Sequence, residues 1–136
     1  MERAKDLLVD AEDFFGAAND LFSTGRWSKV CLNCQQAVEL ALKAILNHLG
    51  LERRGHELSS LLNEVCNYRE EFEQFNNAVK ILDQYYIPTR YANAFYSGPA
   101  MKHYTKRQAE EAIKYSEEIL KLVRQVVAEE ETETKS

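Results

Sequence analysis

The sequence predicts an all-α fold, a five-helix up-and-down bundle with a long irregular loop before the last helix. Apolar residues recur every three or four positions along almost the whole chain, which is the spacing of one face of an α-helix. The 136 residues include only two prolines and five glycines, too few for the many turns of a β-sandwich. No strand-like segment stands out, and the length fits a single domain.

Two long amphipathic helices begin the predicted bundle. The first covers roughly residues 4–22 and is broken at residues 23–25, Ser-Thr-Gly, which supply candidate capping residues. The second covers residues 26–49 without proline or glycine, and Gly50 is its predicted stop. Its apolar residues span an arc of roughly 160°, which is wider than a surface helix needs. Such a helix lies either at the centre of a bundle or in a contact between subunits.

Two shorter helices are predicted next. Residues 57–67 carry one apolar face, and residues 70–86 carry apolar residues at alternating spacings of three and four. Residues 87–104 then lose this periodicity and contain both prolines. Because long ordered loops in small domains are often functional, this segment is the first place to look for a site.

The last predicted helix covers residues 105–128. Thr105 and Gln108 have the spacing of a capping box, in which each residue satisfies a backbone amide of the other. We expect a single helical domain over residues 1–128 and an acidic disordered tail over residues 129–136.

Composition excludes several classes of protein. A formal net charge of −5 argues against a protein that simply coats nucleic acid with positive charge. No apolar run approaches the roughly 18 residues of a membrane span, and the chain begins without the apolar block of a signal peptide. Three cysteines cannot all pair within one chain, which favours the reducing cytoplasm. We therefore expect a cytoplasmic protein that does not bind a membrane.

One segment differs in composition from the rest of the chain. Between Asp83 and Glu110 there is no acidic residue, whereas four of the 17 Lys and Arg residues and six aromatic residues lie there. Cations beside aromatic rings are typical of sites for nucleotides or single-stranded nucleic acid. The candidate nucleotide- or phosphate-binding residues are Arg90, Tyr91, Phe95, Tyr96, Lys102, His103, Lys106 and Arg107.

Other interpretations of the same residues stay open. The tyrosines can pack the loop onto the bundle and keep their hydroxyls in water. Lys106 and Arg107 oppose the dipole of the last helix by ~0.3–1 kcal/mol each. A bound phosphate would reverse the sign of that effect, but Glu110 and Glu111, one turn further on, can also compensate it.

The cysteines and histidines form no recognised catalytic motif. Cys31 and Cys34 have C-x-x-C spacing, and Cys66 with a histidine could complete a zinc set. Within a predicted helix, however, the pair is expected to be two small buried residues, so we predict no metal and no cofactor. His48 is expected in the core, and His56 is expected in a capping or loop hydrogen bond.

Three blocks of the sequence stand in a specific order and spacing. They are Gln35-Gln36-Ala37-Val38-Glu39-Leu40-Ala41-Leu42-Lys43-Ala44 after Trp27, Gly55-His56-Glu57-Leu58, and Tyr86-Ile87-Pro88-Thr89-Arg90-Tyr91. Together with Pro99, Tyr104, Ala109 and Ala112, they resemble the HEPN domain family (higher eukaryote and prokaryote nucleotide-binding). The resemblance covers nearly the whole chain.

The resemblance implies an all-α bundle from a bacterium or archaeon, commonly a homodimer. Small HEPN proteins are often paired with a minimal nucleotidyltransferase and are associated with toxin–antitoxin and defence systems. Many are metal-independent ribonucleases with an Arg-x4–6-His motif, and others lack the motif and bind nucleotides or RNA. In this chain the positions that would hold the histidine after Arg90, residues 95–97, are Phe-Tyr-Ser. This departure favours binding over catalysis.

The leading hypothesis is a nucleotide- or RNA-binding protein that acts with a nucleotidyltransferase. Arg90 is predicted to hold a phosphate with its planar guanidinium group. One of the aromatic residues at positions 91, 95 and 96 is predicted to stack on the base. Lys102 and Lys106 are predicted to add positive potential.

Two alternatives stay open. The first is an unconventional metal-independent ribonuclease that uses Arg90 with His103 or His56. The second is a non-catalytic interaction subunit whose wide apolar second helix docks another chain.

Overall fold

The described part of the chain is a bundle of helices. The computed structural model describes residues 2–86 and 103–135, with the side chains of residues 3–86 and 103–129. No strand occurs within these two ranges, and the predicted all-α fold is confirmed. The helices are α1 (Glu2–Ser23), α2 (Trp27–His48), α3 (Leu58–Cys66), a 3₁₀ helix (Glu70–Phe75), α4 (Asn76–Asp83) and α5 (Lys106–Lys135).

Both long N-terminal helices end at glycines in the left-handed conformation, as the sequence predicts. Gly25 has φ 75° and Gly50 has φ 83°, a region that costs a residue with a Cβ about 1–2 kcal/mol. After Gly50 the chain turns back onto its helix, and the amide of Leu51 donates to the carbonyl of Leu46 at 2.8 Å. This is a Schellman motif, which satisfies the last carbonyls of the helix. The same motif at Gly25 returns α2 alongside α1.

α2 lies at the centre of the bundle. It packs against α1, α3, α4 and α5, and its buried residues extend from Ser28 to Leu46. The wide apolar face is therefore covered within the chain, which decides between the two expectations in favour of the bundle centre. The prediction for His48 is wrong, because this residue is the last of α2 and is only half-buried.

The predicted helix over residues 70–86 is divided in the structure. A 3₁₀ helix covers its first part, and α4 ends at Asp83 instead of residue 86. Phe72 and Phe75 are both buried, with ring centres 5.9 Å apart. Residues three apart lie on the same side of a 3₁₀ helix, so the tighter winding directs both rings into the core. A spacing of three fits either helix type, and the periodicity therefore does not signal the change.

The last helix begins as predicted and runs further than predicted. The Thr105 amide donates to Gln108 Oε1 at 2.9 Å, and the Gln108 amide donates to Thr105 Oγ1 at 3.2 Å, so the capping box is confirmed. The predicted end at residue 128 differs from the structure, in which α5 continues to Lys135. Residues 129–135 contain no proline or glycine and are rich in glutamate, a good helix former, so no local signal stops the helix at the last buried turn.

The C-x-x-C pair belongs to the core. Cys31 and Cys34 are fully buried, and burial raises the pKa of each thiol from its ordinary 9.0 to about 12. The neighbouring hydroxyl of Tyr104 has its pKa raised by burial to about 12, and the pKa of Tyr85 is also raised for the same reason. The prediction that the pair are two small buried residues is confirmed.

The same substitution at two glycines is expected to change stability in opposite directions. Gly16 lies inside α1, and a Cβ there meets nothing within 4 Å, so Gly16→Ala should stabilise the protein by about 1 kcal/mol. Gly50→Ala also meets no neighbouring atom, but its positive φ should cost about 1–2 kcal/mol. Urea unfolding followed by circular dichroism measures both changes. Shifts of the same sign would show that backbone conformation does not govern the two sites.

Alkaline pH is expected to destabilise the fold through the buried thiols. Their pKa values are higher in the folded than in the unfolded protein, so the free energy of unfolding should be level below about pH 9 and fall as the pH rises toward about 12. The double variant Cys31→Ala/Cys34→Ala should show a shallower fall in urea titrations across this range. Half-buried Cys66→Ala serves for comparison, because burial raises the pKa of that thiol less and its removal should change the slope less. Equal slopes in all three proteins would assign the fall to other groups.

Candidate functional site

The predicted site is only partly described by the structure. His103, Lys106 and Arg107 are exposed at the start of α5. The other five candidates lie outside the described residues: Arg90, Tyr91, Phe95, Tyr96 and Lys102.

A contact between two tyrosines joins the two flanks of the segment over residues 87–102. Tyr85 follows α4 and Tyr104 precedes α5, and their rings lie 5.6 Å apart between centres in an edge-to-face arrangement. Both residues are buried, so the packing interpretation is right for these two aromatic residues. The contact holds the cationic start of α5 beside the end of α4.

The start of α5 is a place of positive potential. Lys106 and Arg107 occupy its first turn, where the helix dipole is already positive. Among the residues that the structure describes, neither cation lies in an ion pair, so the expected compensation by Glu110 and Glu111 is not seen. An anion placed here would interact favourably with both side chains and with the helix terminus.

A second group of polar residues lies on the edge of α2. The Nδ1 atom of His56 and the Nζ atom of Lys43 each lie 3.0 Å from the same oxygen, Oε2 of Glu39. Glu39 is only 4% exposed, and its other oxygen has no hydrogen-bond partner within the described residues. The His56 side chain is 60% exposed. A buried carboxylate thus orients an imidazole that remains accessible to a ligand.

The imidazole also packs against an aromatic ring. The rings of His56 and Tyr86 are stacked, with centres 5.5 Å apart and planes inclined by 21°. They line a cavity of about 380 Å³ together with Glu57 and Asp83. We call this the stacking cavity. Its volume lies within the roughly 300–1,000 Å³ range of small-molecule sites.

Asp83 fixes the position of the loop that carries His56. Its carboxylate accepts hydrogen bonds from the backbone amides of Leu58 at 2.6 Å and Ser59 at 3.0 Å. The side chain from the end of α4 therefore caps the N-terminus of α3, a role that local residues usually fill. The loop and α4 are joined in this way at the stacking cavity.

Sequence reasoning missed three residues of this arrangement: Glu39, Asp83 and Tyr86. Of the two roles expected for His56, Asp83 fills the capping role, whereas the loop hydrogen bond is found, with Glu39 as the partner of the imidazole. His56 lies 17 residues from Glu39 in the chain, and Leu58 lies 25 residues from Asp83. No helical or turn spacing therefore signals either pair. The block Gly55-His56-Glu57-Leu58 was the only signal that pointed to this loop.

The described residues offer neither a metal cluster nor a membrane-spanning helix. Over these ranges, no group of three or more His, Cys, Asp or Glu residues is arranged to hold a metal ion. None of the helices there combines the length and the apolar character that crossing a bilayer requires.

Comparisons with known proteins identify the family. The HEPN domain model matches residues 4–126. A solved structure from Thermus thermophilus, TT1696, shares 38% identity and superposes with a TM-score of 0.87, covering 92% of this chain and 98% of that one. The archaeal HEPN homologue ST0689 shares 32% identity with a TM-score of 0.77, covering 93% and 99%.

A curated relative has a functional name. The Methanocaldococcus jannaschii protein named "Putative toxin MJ1304" is 25% identical over 135 residues, which cover 93% of this chain and 89% of that protein. The resemblance stated from the sequence blocks is confirmed by the family match and by the solved structures: this chain belongs to the HEPN domain family.

Proposed function

We propose that this protein is a nucleotide- or RNA-binding member of the HEPN family that acts in a toxin–antitoxin-type system, as a homodimer and with a nucleotidyltransferase partner. The name of the M. jannaschii relative supports the type of system. The site geometry supports the ligand class. The partner and the homodimer rest on the family resemblance.

The observation that carries the proposal is the stacked pair of His56 and Tyr86 beside a cation-rich segment. Tyr86 directly precedes the cation-rich segment in the sequence, and Tyr85 next to it contacts Tyr104 near the start of α5. An aromatic surface with accessible cations nearby is the combination that binds a base and its phosphate.

The charges around the site indicate where the base and the phosphate of a nucleotide would each lie. Glu57 and Asp83 line the stacking cavity and would repel a phosphate there. The base therefore stacks on His56 and Tyr86, and the phosphate lies toward Lys106 and Arg107. In the same proposal Arg90 supplies the guanidinium that holds the phosphate, with Lys102 and His103 adding donors and the rings of Tyr91, Phe95 or Tyr96 adding stacking.

Binding is expected to depend on both halves of the site. Tyr86→Ala should weaken binding of a labelled short single-stranded RNA about tenfold, because stacking contributes ~1–3 kcal/mol per base. Lys106→Ala/Arg107→Ala should weaken it too and reduce the slope of log affinity against log salt by about 1.4, since each lost phosphate contact contributes about 0.7 for a single strand. Fluorescence anisotropy at several salt concentrations measures both effects.

Matched controls are available in the chain. Tyr68 is an exposed tyrosine away from the site, and Lys114 and Lys121 are exposed cations further along α5. Tyr68→Ala and Lys114→Ala/Lys121→Ala should bind as the wild type does. Equal affinity in Tyr86→Ala, Lys106→Ala/Arg107→Ala and Arg90→Ala would remove this site from the proposal.

A metal-independent ribonuclease is the second candidate function, and one observation favours it. A carboxylate that orients a histidine, as Glu39 does for His56, is an arrangement used for general acid–base catalysis. Because the Arg-x4–6-His motif is absent, catalysis would need Arg90 to reach His56 or His103 from elsewhere in the fold or across a dimer.

RNA cleavage assays separate the two functions. With structured RNA in the presence of a chelator, we expect the wild type to cleave no more than His56→Ala, Glu39→Gln and His103→Ala, because the binding role requires no proton transfer. Cleavage lost in His56→Ala and Glu39→Gln but kept in His103→Ala would establish the ribonuclease and identify its base. Cleavage lost only in His103→Ala would assign that role to His103.

A further inference from the structure

A cavity of about 340 Å³, separate from the stacking cavity, is lined by four basic side chains. It is formed by Arg3, Leu7, Lys43, Asn47, Leu51, Glu52, Arg53 and Arg54, which we call the basic pocket. We propose that the basic pocket binds a phosphate group of a nucleotide or RNA. The identification of the ligand as a nucleotide or RNA rests on the proposed function. The affinity of the pocket for a phosphate group does not depend on it.

Three segments build the basic pocket. Arg3 and Leu7 lie one turn apart at the start of α1, and Lys43 and Asn47 lie one turn apart near the end of α2. The loop after Gly50 supplies the remaining wall. Because the Schellman motif at Gly50 fixes the direction in which the chain leaves α2, residues 51–54 lie at the cavity beside the two helices.

The cations of the basic pocket exceed the acidic groups that neutralise them. Lys43 is paired with Glu39. Arg53 lies 3.2 Å from Glu64, but both side chains are more than a third exposed, so that pair contributes little. Within the described ranges, Arg3 and Arg54 take part in no ion pair, and Glu52 is the acidic residue in the lining. The pocket therefore has an excess of positive charge.

The position of Arg3 has an energetic cost in the fold. It lies in the first turn of α1, where a cation opposes the helix dipole by ~0.3–1 kcal/mol. A bound anion would interact favourably with both Arg3 and the helix terminus. Phosphate suits the set best, because the planar guanidinium groups of three arginines offer paired donors that match its oxygens, and the Asn47 amide adds a neutral donor.

One carboxylate connects the basic pocket to the stacking cavity. Oε2 of Glu39 contacts Lys43, which lines the former, and His56, which lines the latter. A lining side chain of each cavity therefore meets the other at one buried carboxylate. A nucleotide or RNA with its base on His56 and Tyr86 has a phosphate-binding pocket within reach on this side as well as at the start of α5.

Inorganic pyrophosphate is the first probe, because it offers phosphate without a base. Arg3→Ala/Arg54→Ala removes the two cations that lack ion pairs and are exposed, so the fold should be kept, as circular dichroism can verify. Calorimetry should show at least about tenfold weaker pyrophosphate binding than in the wild type. The control Lys114→Ala/Lys121→Ala loses the same charge and should bind pyrophosphate as the wild type does. Equal affinity in all three proteins would overturn the proposal.

The second probe is the labelled short RNA, with free ATP as a parallel ligand. If RNA is the source of the phosphate, the Arg3→Ala/Arg54→Ala variant should lower the salt slope for RNA by about 1.4. A loss of ATP binding with an unchanged RNA slope would assign the pocket to free nucleotides.

The remaining outcomes separate this proposal from the proposed function. Pyrophosphate binding that depends on Arg3 and Arg54, with no binding of RNA or ATP by any protein, would keep the basic pocket as a phosphate site and reject the proposed function. Poly-glutamate that displaces the labelled RNA as strongly as pyrophosphate does would instead identify a site for an acidic peptide. That result would overturn the proposal.

Discussion

The buried carboxylate of Glu39 is the constraint on which the polar side of this protein depends. A charge this well shielded from water costs several kcal/mol unless it is paired, and its partners here are Lys43 and His56. Lys43 comes from the next turn of the same helix, whereas His56 comes from the loop that follows α2. Together with the hydrogen bonds from the Leu58 and Ser59 amides to Asp83, this pairing holds the loop against the bundle, and residues of the loop line both cavities.

α2 combines this polar edge with the core of the bundle. Its buried residues include small alanines at positions 37, 41 and 44, which allow neighbouring helices to approach closely, and α1, α3 and α5 pack against this helix. The apolar arc therefore builds the bundle, and the polar edge with Glu39 and Lys43 faces the cavities. Because the arc is covered within the chain, the interaction-subunit hypothesis loses the helix on which it was based.

Much of the fold could be predicted from the sequence, because the signals that define it are local. Helical periodicity, the glycine at position 50 and the Thr105–Gln108 capping box all act within one or two turns of chain. The 3₁₀ helix was missed because Phe72 and Phe75 fit both helix types. Asp83 as the cap of α3, and Glu39 as the partner of His56, could not be predicted, since these pairs form only after distant segments pack.

The site was harder to predict for the same reason. The cationic segment is continuous in sequence and was identified by its composition, although five of its candidate residues lie outside the described ranges. The basic pocket draws residues 3, 43, 53 and 54 from three segments, and no one of those segments is unusually basic alone. Only the packing of the start of α1 beside the end of α2 brings them together.

The Tyr85–Tyr104 contact couples two helices that are far apart in the sequence. Both rings are buried, and their edge-to-face packing joins the chain just after α4 to the chain just before α5. A displacement of one helix is therefore transmitted to the other through two aromatic side chains in the core.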